Sequence, residues 1–233
     1  MKGYRYEYKY AISRAGGALL KAQLAAVLPR DRHVGPSGRY FIRSLYFDDA
    51  DLSAYYEKLA GTYQRRKYRL RYYNFDPRYL TFECKRKFGQ LTRKDGLRVD
   101  QPTAELLIAG ADLPASALEA PLLGEYQQER TRANLRPRVI VDYFRTPFVY
   151  SVSNVRITID EQVSTGLYVT DGFFRPITVF PVMEPEEALL EVKFDEFLPD
   201  HIKRVLSTVP AICVANSKYC NCLAPCEPVS YSI

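Results

Sequence analysis

The nine residues RRKYRLRYY, positions 65–73, restrict the fold more than any other part of the chain. Successive side chains of a strand alternate sides, so a strand here sets Arg65, Lys67, Arg69 and Arg71 on one face and Arg66, Tyr68, Leu70 and Tyr72 on the other. A row of cations on one face repels itself unless negative charge lies among it. The fold must therefore turn that face toward something anionic.

The same alternation recurs. YRYEYKYAI sets Arg5, Glu7 and Lys9 opposite Tyr4, Tyr6, Tyr8 and Tyr10. YLTFECKRKF sets Glu83, Lys85 and Lys87 against Phe82, Cys84 and Phe88, with Arg86 out of step. NVRITID sets Arg156, Thr158 and Asp160 against Val155, Ile157 and Ile159, and ALLEVKF sets Glu191 and Lys193 against Leu190, Val192 and Phe194. YFIRSLYFDD and PRVIVDYFRTPF read as strands with mixed faces. Helical spacing and end signals predict helices over 13–28, 49–61, 103–110, 116–135 (broken near Pro121 and Gly124) and 199–209. With no repeat and no linker, residues 1–233 read as a single domain, its core about 4–220. The fold class is α+β, mainly β: antiparallel sheet with peripheral helices.

A half-buried sheet that shows one polar face to water would account for any one of these strands. Across the set, at least four strands bring Arg or Lys to the polar face, and three of those faces also carry a lone Glu. The opposite faces are rich in Tyr, Phe, Val and Ile, suited to packing under helices. Closing about eight strands into an antiparallel barrel gathers the charged faces in a lumen wide enough for side chains or one small ligand. Such a lumen calls for a polyanion, and phosphate chains match guanidinium forks and lysine point charges. The few carboxylates would hold a divalent cation bridging phosphate oxygens.

The bulk properties agree. The net charge of +6 fits an anionic partner. No run of about 18 apolar residues is present, and MKGYRYEYKYAI has no apolar signal core. Five cysteines, an odd number, do not form a disulfide framework, so a cytoplasmic setting is expected. CNCLAPC (Cys220, Cys222, Cys226) lacks the second pair of a zinc site, which favours a packed or disordered tail. His33 and His201 read as surface residues. Tyrosines opposite the cations, not beside them, argue against a nucleic-acid channel.

In order and spacing, YRYEYKY, YFIRSLYFDD, RRKYRLRYY, FECKRK, VDYFRTPF, VRITID, LLEVKF and NSKY resemble the catalytic domain of the vacuolar transporter chaperone (VTC) family, within the CYTH/triphosphate tunnel metalloenzyme superfamily. The resemblance covers roughly residues 4–220. It implies a β-barrel tunnel and polyphosphate synthesis, the γ-phosphoryl group of ATP passing to a polyphosphate chain with Mn²⁺ or Mg²⁺. Carried over by position, it implies phosphate-handling roles for Lys9, Arg69, Arg71, Lys85, Arg145, Arg156 and Lys218, and a metal-binding role for Glu191. Lys94 matches a later basic position; Lys67, Lys87 and Lys193 share the phosphate-facing sides, and Glu7, Glu83 and Asp160 are further candidate metal ligands. A tunnel open at both ends would release product at the far end.

Arg145 has opposite parity to Arg138, Ile140 and Asp142, so its strand does not say which side faces the lumen; a bulge or strand end near Thr146–Pro147 would reconcile it with the resemblance. The superfamily's hydrolases open with E-x-E-x-K, whereas this chain reads RYEYK, with Arg5 in the place of the first Glu. That favours the VTC branch, leaving a triphosphate or polyphosphate hydrolase and a non-catalytic polyphosphate-binding module as the alternatives. Eukaryotic VTC members carry a sensing domain and membrane helices; neither is legible here, and a membrane-protein partner stays open.

Overall fold

The computed structural model describes residues 3–31, 34–166 and 170–224. Its strands are β1 (Arg5–Ser13), β2 (Tyr40–Asp48), β3 (Gln64–Tyr73), β4 (Asp76–Phe88), β5 (Leu91–Val99), β6 (Arg136–Tyr150), β7 (Val155–Gly166), β8 (Phe180–Pro181), β9 (Glu187–Phe194) and β10 (Ile212–Cys213). Its helices are α1 (Arg14–Val27), α2 (Ser53–Leu59), α3 (Gln101–Ala109), α4 (Ala115–Leu118), α5 (Pro121–Ala133), α6 (Asp200–Leu206) and α7 (Lys218–Leu223).

Eight strands close on themselves in the order β1-β5-β4-β3-β2-β6-β7-β9, all neighbours antiparallel. The β1–β9 seam is long, from Tyr6↔Phe194 to Ser13↔Glu187, whereas the β1–β5 seam rests on Arg5↔Thr92 and Tyr6↔Leu91. β8 and β10 add short pairings to β7 and β1. The expected barrel is therefore present.

Besides the two-residue strands β8 and β10, the expectations missed two elements. The eighth staves of the barrel is β5, whose outer face mixes Arg93 and Asp95 with Leu97, and whose inner face holds Thr92, Lys94 and Gly96. Neither face has an apolar rhythm. Gly96, a residue that weakens strand character, stands across from Glu83 of β4 within van der Waals range of its side chain. The second is α7, six residues long and capped by Ser217, whose hydroxyl accepts from Cys220 N–H. The predicted break at Pro121 is correct, since Pro121 starts α5, while Gly124 lies within that helix.

Two cores hold the barrel from outside. Phe47, Tyr68, Leu70, Phe82, Leu107, Leu123 and Tyr126 pack α3 and α5 against β2–β4. Ile12, Leu20, Leu24, Ile157, Ile159, Leu190 and Ile202 pack α1 and α6 against β1, β7 and β9. Leu20 and Leu24 are fully buried, and each contributes about 1.5–3 kcal/mol by leaving water. The third core lies within the ring, where Tyr40, Ile42, Tyr46, Val139, Val141 and Tyr143 meet Tyr219, Cys220, Cys222 and Leu223 of α7.

Candidate active site

Strand register decides which side chains share the lumen. Across β9, β1 and β7, Lys193 pairs with Glu7 and Arg156, and Glu191 with Lys9 and Thr158. Across β2, β3 and β4, Tyr46 pairs with Arg69 and Ser44 with Arg71, while Arg69 faces Glu83 and Lys67 faces Lys85. Lys85 in turn pairs with Lys94 on β5. The parities read from β1, β3, β4, β7 and β9 all match this common face.

Arg145 joins it with no slip between Val139 and Arg145 in its own strand, where the shift against β2 falls earlier, between Pro137 and Val139. On β6 the inner residues run Val139, Val141, Tyr143 and Arg145, as their β2 partners Tyr46, Ser44, Ile42 and Tyr40 require. The irregularity lies in the partner strand: Asp142 pairs with Ser164 but Phe144 pairs with Glu161. β7 thus carries an extra residue, and Gln162 there has φ 55°. The bulge anticipated near Thr146–Pro147 sits instead on β7.

The lumenal charges form three linked groups. In the first, Glu83, 2% exposed, accepts from Arg69 Nε (2.7 Å) and Lys94 Nζ (2.6 Å), with Arg71 at 3.9 Å. Burial opposes ionisation of Glu83, but Arg69, Arg71 and Lys94 together hold its carboxyl far below the ordinary range. Tyr46 Oη accepts from Arg69 (2.8 Å), and Ser44 Oγ and Tyr143 Oη accept from Arg71 (2.9 and 3.1 Å). Though buried, Tyr46 has its pKa lowered by Arg69 and Arg71.

The second group centres on Glu7, which accepts from Lys85 Nζ at 2.6 and 2.8 Å. Burial pushes Lys85 down to about 7; Glu7 opposes the shift and Lys9 and Lys193 add to it. In the third, Asp160, fully buried, accepts from Arg145 Nε and Nη2, both at 2.6 Å, and lies 2.5 Å from Lys218 Nζ. Glu191 takes Lys218 (3.0 Å), Lys193 (3.1 Å) and Arg145 (3.3 Å). Burial works against both carboxylates, yet these cations hold them ionised, Glu191 well below its usual range. Asp160 and Glu191 in turn raise Lys218 against its own burial.

The chain thus supplies part of the anion that its cationic faces require. The compensation is incomplete. Among the described residues, Lys67 Nζ reaches Ser217 Oγ, Cys220 Sγ (both 3.4 Å) and the Tyr219 ring and makes no ion pair, and burial lowers its pKa. Lys87, on the same face, makes no ion pair among the described residues, and its pKa is lowered by burial and by Arg65. Arg156 stands apart, between Asp31 (3.0 Å) and Tyr40 Oη (2.9 Å).

The four candidate metal carboxylates are not gathered together. Among the described residues no three His, Cys, Asp or Glu side chains are grouped to hold a metal. Glu83 is committed to the Arg69 group and Asp160 to Arg145 and Lys218. Glu191 shares Arg145 and Lys218 with Asp160 and shares two lysines with Glu7: Lys9 Nζ lies 3.6 Å from Glu7 and 3.7 Å from Glu191, and Lys193 Nζ 3.9 and 3.1 Å. Two ammonium groups occupy the space between two carboxylates, which is the charge pattern of a bound cation. Magnesium-type sites commonly use one or two carboxylates and take their remaining ligands from phosphate and water. Glu7 and Glu191 fit that description.

Several contributors escaped sequence reading. Tyr40, Ser44 and Tyr46 occupy alternate positions of YFIRSLYF, a signal present but masked by apolar residues on both faces. Tyr219 is fixed by its hydroxyl on Asp48 (2.5 Å), which also accepts the amides of Ala54 and Tyr55. This latch seats α7 in one end of the barrel, where the far exit was expected. Cys220 and Cys222 are buried packing residues there, and Cys226 and His33 lie outside the described residues. Arg5 donates to Asn154 O (2.8 Å) and takes no part in a carboxylate pair that could bind metal. His201 is exposed beside the Tyr150 ring.

A family model described as the VTC domain matches residues 4–226. The fold is similar to that of HpAC1 from Hippeastrum, a putative adenylyl cyclase described as having a dominant triphosphatase activity (14% identity, TM-score 0.57, 95% of this chain and 96% of that one). It is also similar to a putative adenylate cyclase from Bacillus halodurans (16% identity, TM-score 0.50, 88% of each chain). No curated protein matches the sequence. No helix among the described residues is long and apolar enough to cross a membrane.

Proposed function

Because the chain belongs to the VTC-domain family, we propose that it is a polyphosphate polymerase-like phosphotransferase, moving the γ-phosphoryl group of ATP onto a polyphosphate chain inside the barrel. The observation that carries this reading is the surplus of lumenal cations over carboxylates, with Lys67 and Lys87 making no ion pair among the described residues beside three ion-paired groups. A polyanion completes that charge pattern.

Phosphoryl transfer asks the protein for alignment and charge neutralisation, not for covalent chemistry. Arg69 and Arg71, braced by Tyr46, Ser44 and Tyr143, hold a phosphate through their forks. Lys9, Lys85, Lys193, Arg145 and Lys218 neutralise the neighbouring phosphates, and Lys67, Lys87 and Lys94 extend the track. The terminal oxygen of the acceptor chain attacks the γ-phosphorus in line as the bond to the ADP oxygen breaks. Glu7 and Glu191, once Lys9 and Lys193 turn to phosphate oxygens, would hold Mn²⁺ or Mg²⁺, which would supply positive charge to offset that of the transferring group. With α7 seated in one end, substrate and product share the opposite mouth, beside Arg5 and Arg156.

The test is to incubate the protein with ATP and Mn²⁺ and to assay ADP, free phosphate and polyphosphate, alongside Glu191→Gln. The expected outcome is ADP with polymer in the wild type. In the variant we expect a fall of about 100- to 1000-fold, the usual cost of one lost electrostatic contact in the transition state, with metal-free triphosphate binding retained. Free phosphate without polymer would replace this reading with a hydrolase, and inertness with tight polymer binding would replace it with a binding module.

A further inference from the structure

A large concavity lies on the outside of the barrel; Tyr143, whose hydroxyl accepts from Arg71 in the lumen, is among the residues that line it. It is a cavity of about 1150 Å³ on the outer face of β2, β6 and β7, walled by α1 on one side and by residues 174–185 on the other. The volume is ample for a nucleotide-sized ligand, since small-molecule sites run to about 300–1,000 Å³.

Its floor is aromatic. Phe41 stacks on Phe75 with ring centroids 3.8 Å apart and planes 11° from parallel, and meets Phe144 edge-on. Phe75 is 64% exposed, an unusual state for a phenylalanine held in a left-handed turn (φ 58°). Arg39 lies over Phe144 with its guanidinium carbon 4.3 Å from the ring centroid. The site therefore offers stacked π-faces, one of them cationic.

The wall is fixed in place. Arg43, buried beneath the cavity and bidentate on Asp142, donates to Arg175 O (2.7 Å). Tyr72 Oη donates to Phe173 O (2.9 Å), and Val182 N–H to Val163 O (2.9 Å). These bonds tie the 173–182 segment to the barrel, so the cavity exists before any ligand arrives. The pairs Arg43–Asp142 and Lys21–Glu161 are internally neutral. At the β2 end this leaves Arg39 and Arg175, which make no ion pair among the described residues. Arg14, Glu184 and Glu187 line the α1 end.

From the aromatic floor, Arg39 over the Phe144 ring and the uncompensated charge beside it, we infer that this cavity is a second binding site, taking a planar aromatic anion of the nucleoside-phosphate class. The ring stacks on Phe75 and Arg39, and the phosphate is met by the arginines of the β2 end.

The experiment is calorimetric titration of the whole chain with AMP while saturating inorganic triphosphate fills the tunnel. Saturable one-to-one binding is expected, weakened at least tenfold by Arg39→Glu and by Phe75→Ala. Both positions are exposed, so folding should survive, and an unchanged melting temperature would show it. Arg69→Ala/Arg71→Ala should leave AMP binding within about twofold. No binding at millimolar AMP, binding indifferent to both outer variants, or binding abolished by triphosphate or by the Arg69/Arg71 variant would each overturn the inference. The last two outcomes would place AMP in the tunnel, and neither bears on whether the tunnel transfers phosphate.

Discussion

Asp160→Asn separates the two jobs open to a lumenal carboxylate. Asp160 is fully buried and serves three bonds: two from Arg145 at 2.6 Å and one from Lys218 at 2.5 Å. Asparagine keeps the shape but removes the charge, and its amide nitrogen turns a donor toward one of these donors. Glu191, already shared by Lys218, Lys193 and Arg145, becomes their nearest carboxylate. Breaking a buried pair from one side typically costs about 3–5 kcal/mol. In a chain of this size each kcal/mol moves the midpoint by roughly 2–4 °C, so Tm should fall by roughly 6–20 °C in ligand-free buffer. Inorganic triphosphate, which gives Arg145 and Lys218 a new anion, should recover a larger Tm increment in the variant than in the wild type. The assay is thermal unfolding with and without triphosphate, in chelator to exclude metal. A ligand-free Tm within about 2 °C of wild type would refute the counter-ion role. So would a variant whose triphosphate increment is smaller than that of the wild type.

Two further outcomes follow from the same charges. Arg69→Ala/Arg71→Ala should abolish most of the triphosphate-induced rise in Tm, which for the wild type at about 100 times Kd is worth about 2.7 kcal/mol. It should also lower ligand-free stability, because Glu83 keeps only Lys94; adding Glu83→Gln should restore much of the loss, and a double variant as stable as wild type would refute the pairing. Lys85, with its pKa at about 7, gains charge as pH falls, so triphosphate should bind more tightly at pH 7 than at pH 8.5. The slope approaches at most about tenfold per pH unit above 7. Lys85→Arg, which stays charged throughout, should flatten the dependence, and an equal slope in wild type and variant would rule out Lys85 as its source.

Alternation alone specified five lumenal faces of this protein, because a strand's period of two ties each cation to a side and the opposite Tyr, Phe, Val and Ile need a core. The ordered motifs pointed to the family and hence to the closed ring. What stayed hidden were features whose signal is not local. β5 has no apolar rhythm, since its outer face carries Arg93 and Asp95 and its inner face carries Thr92, Lys94 and Gly96. Arg145 could not be oriented from β6, because its side is decided by pairing with β2 and accommodated by a bulge in β7. α7 is too short to announce itself, and its place in the barrel end depends on Asp48, 171 positions earlier. Above all, the sequence presented rows of cations, and only the closed barrel brought Glu7, Glu83, Asp160 and Glu191 from different strands within ion-pair distance of them. Side-chain direction is a local property of the backbone and can be read along the chain. Charge compensation across a lumen is set by which strands become neighbours, and that is settled only when the ring closes.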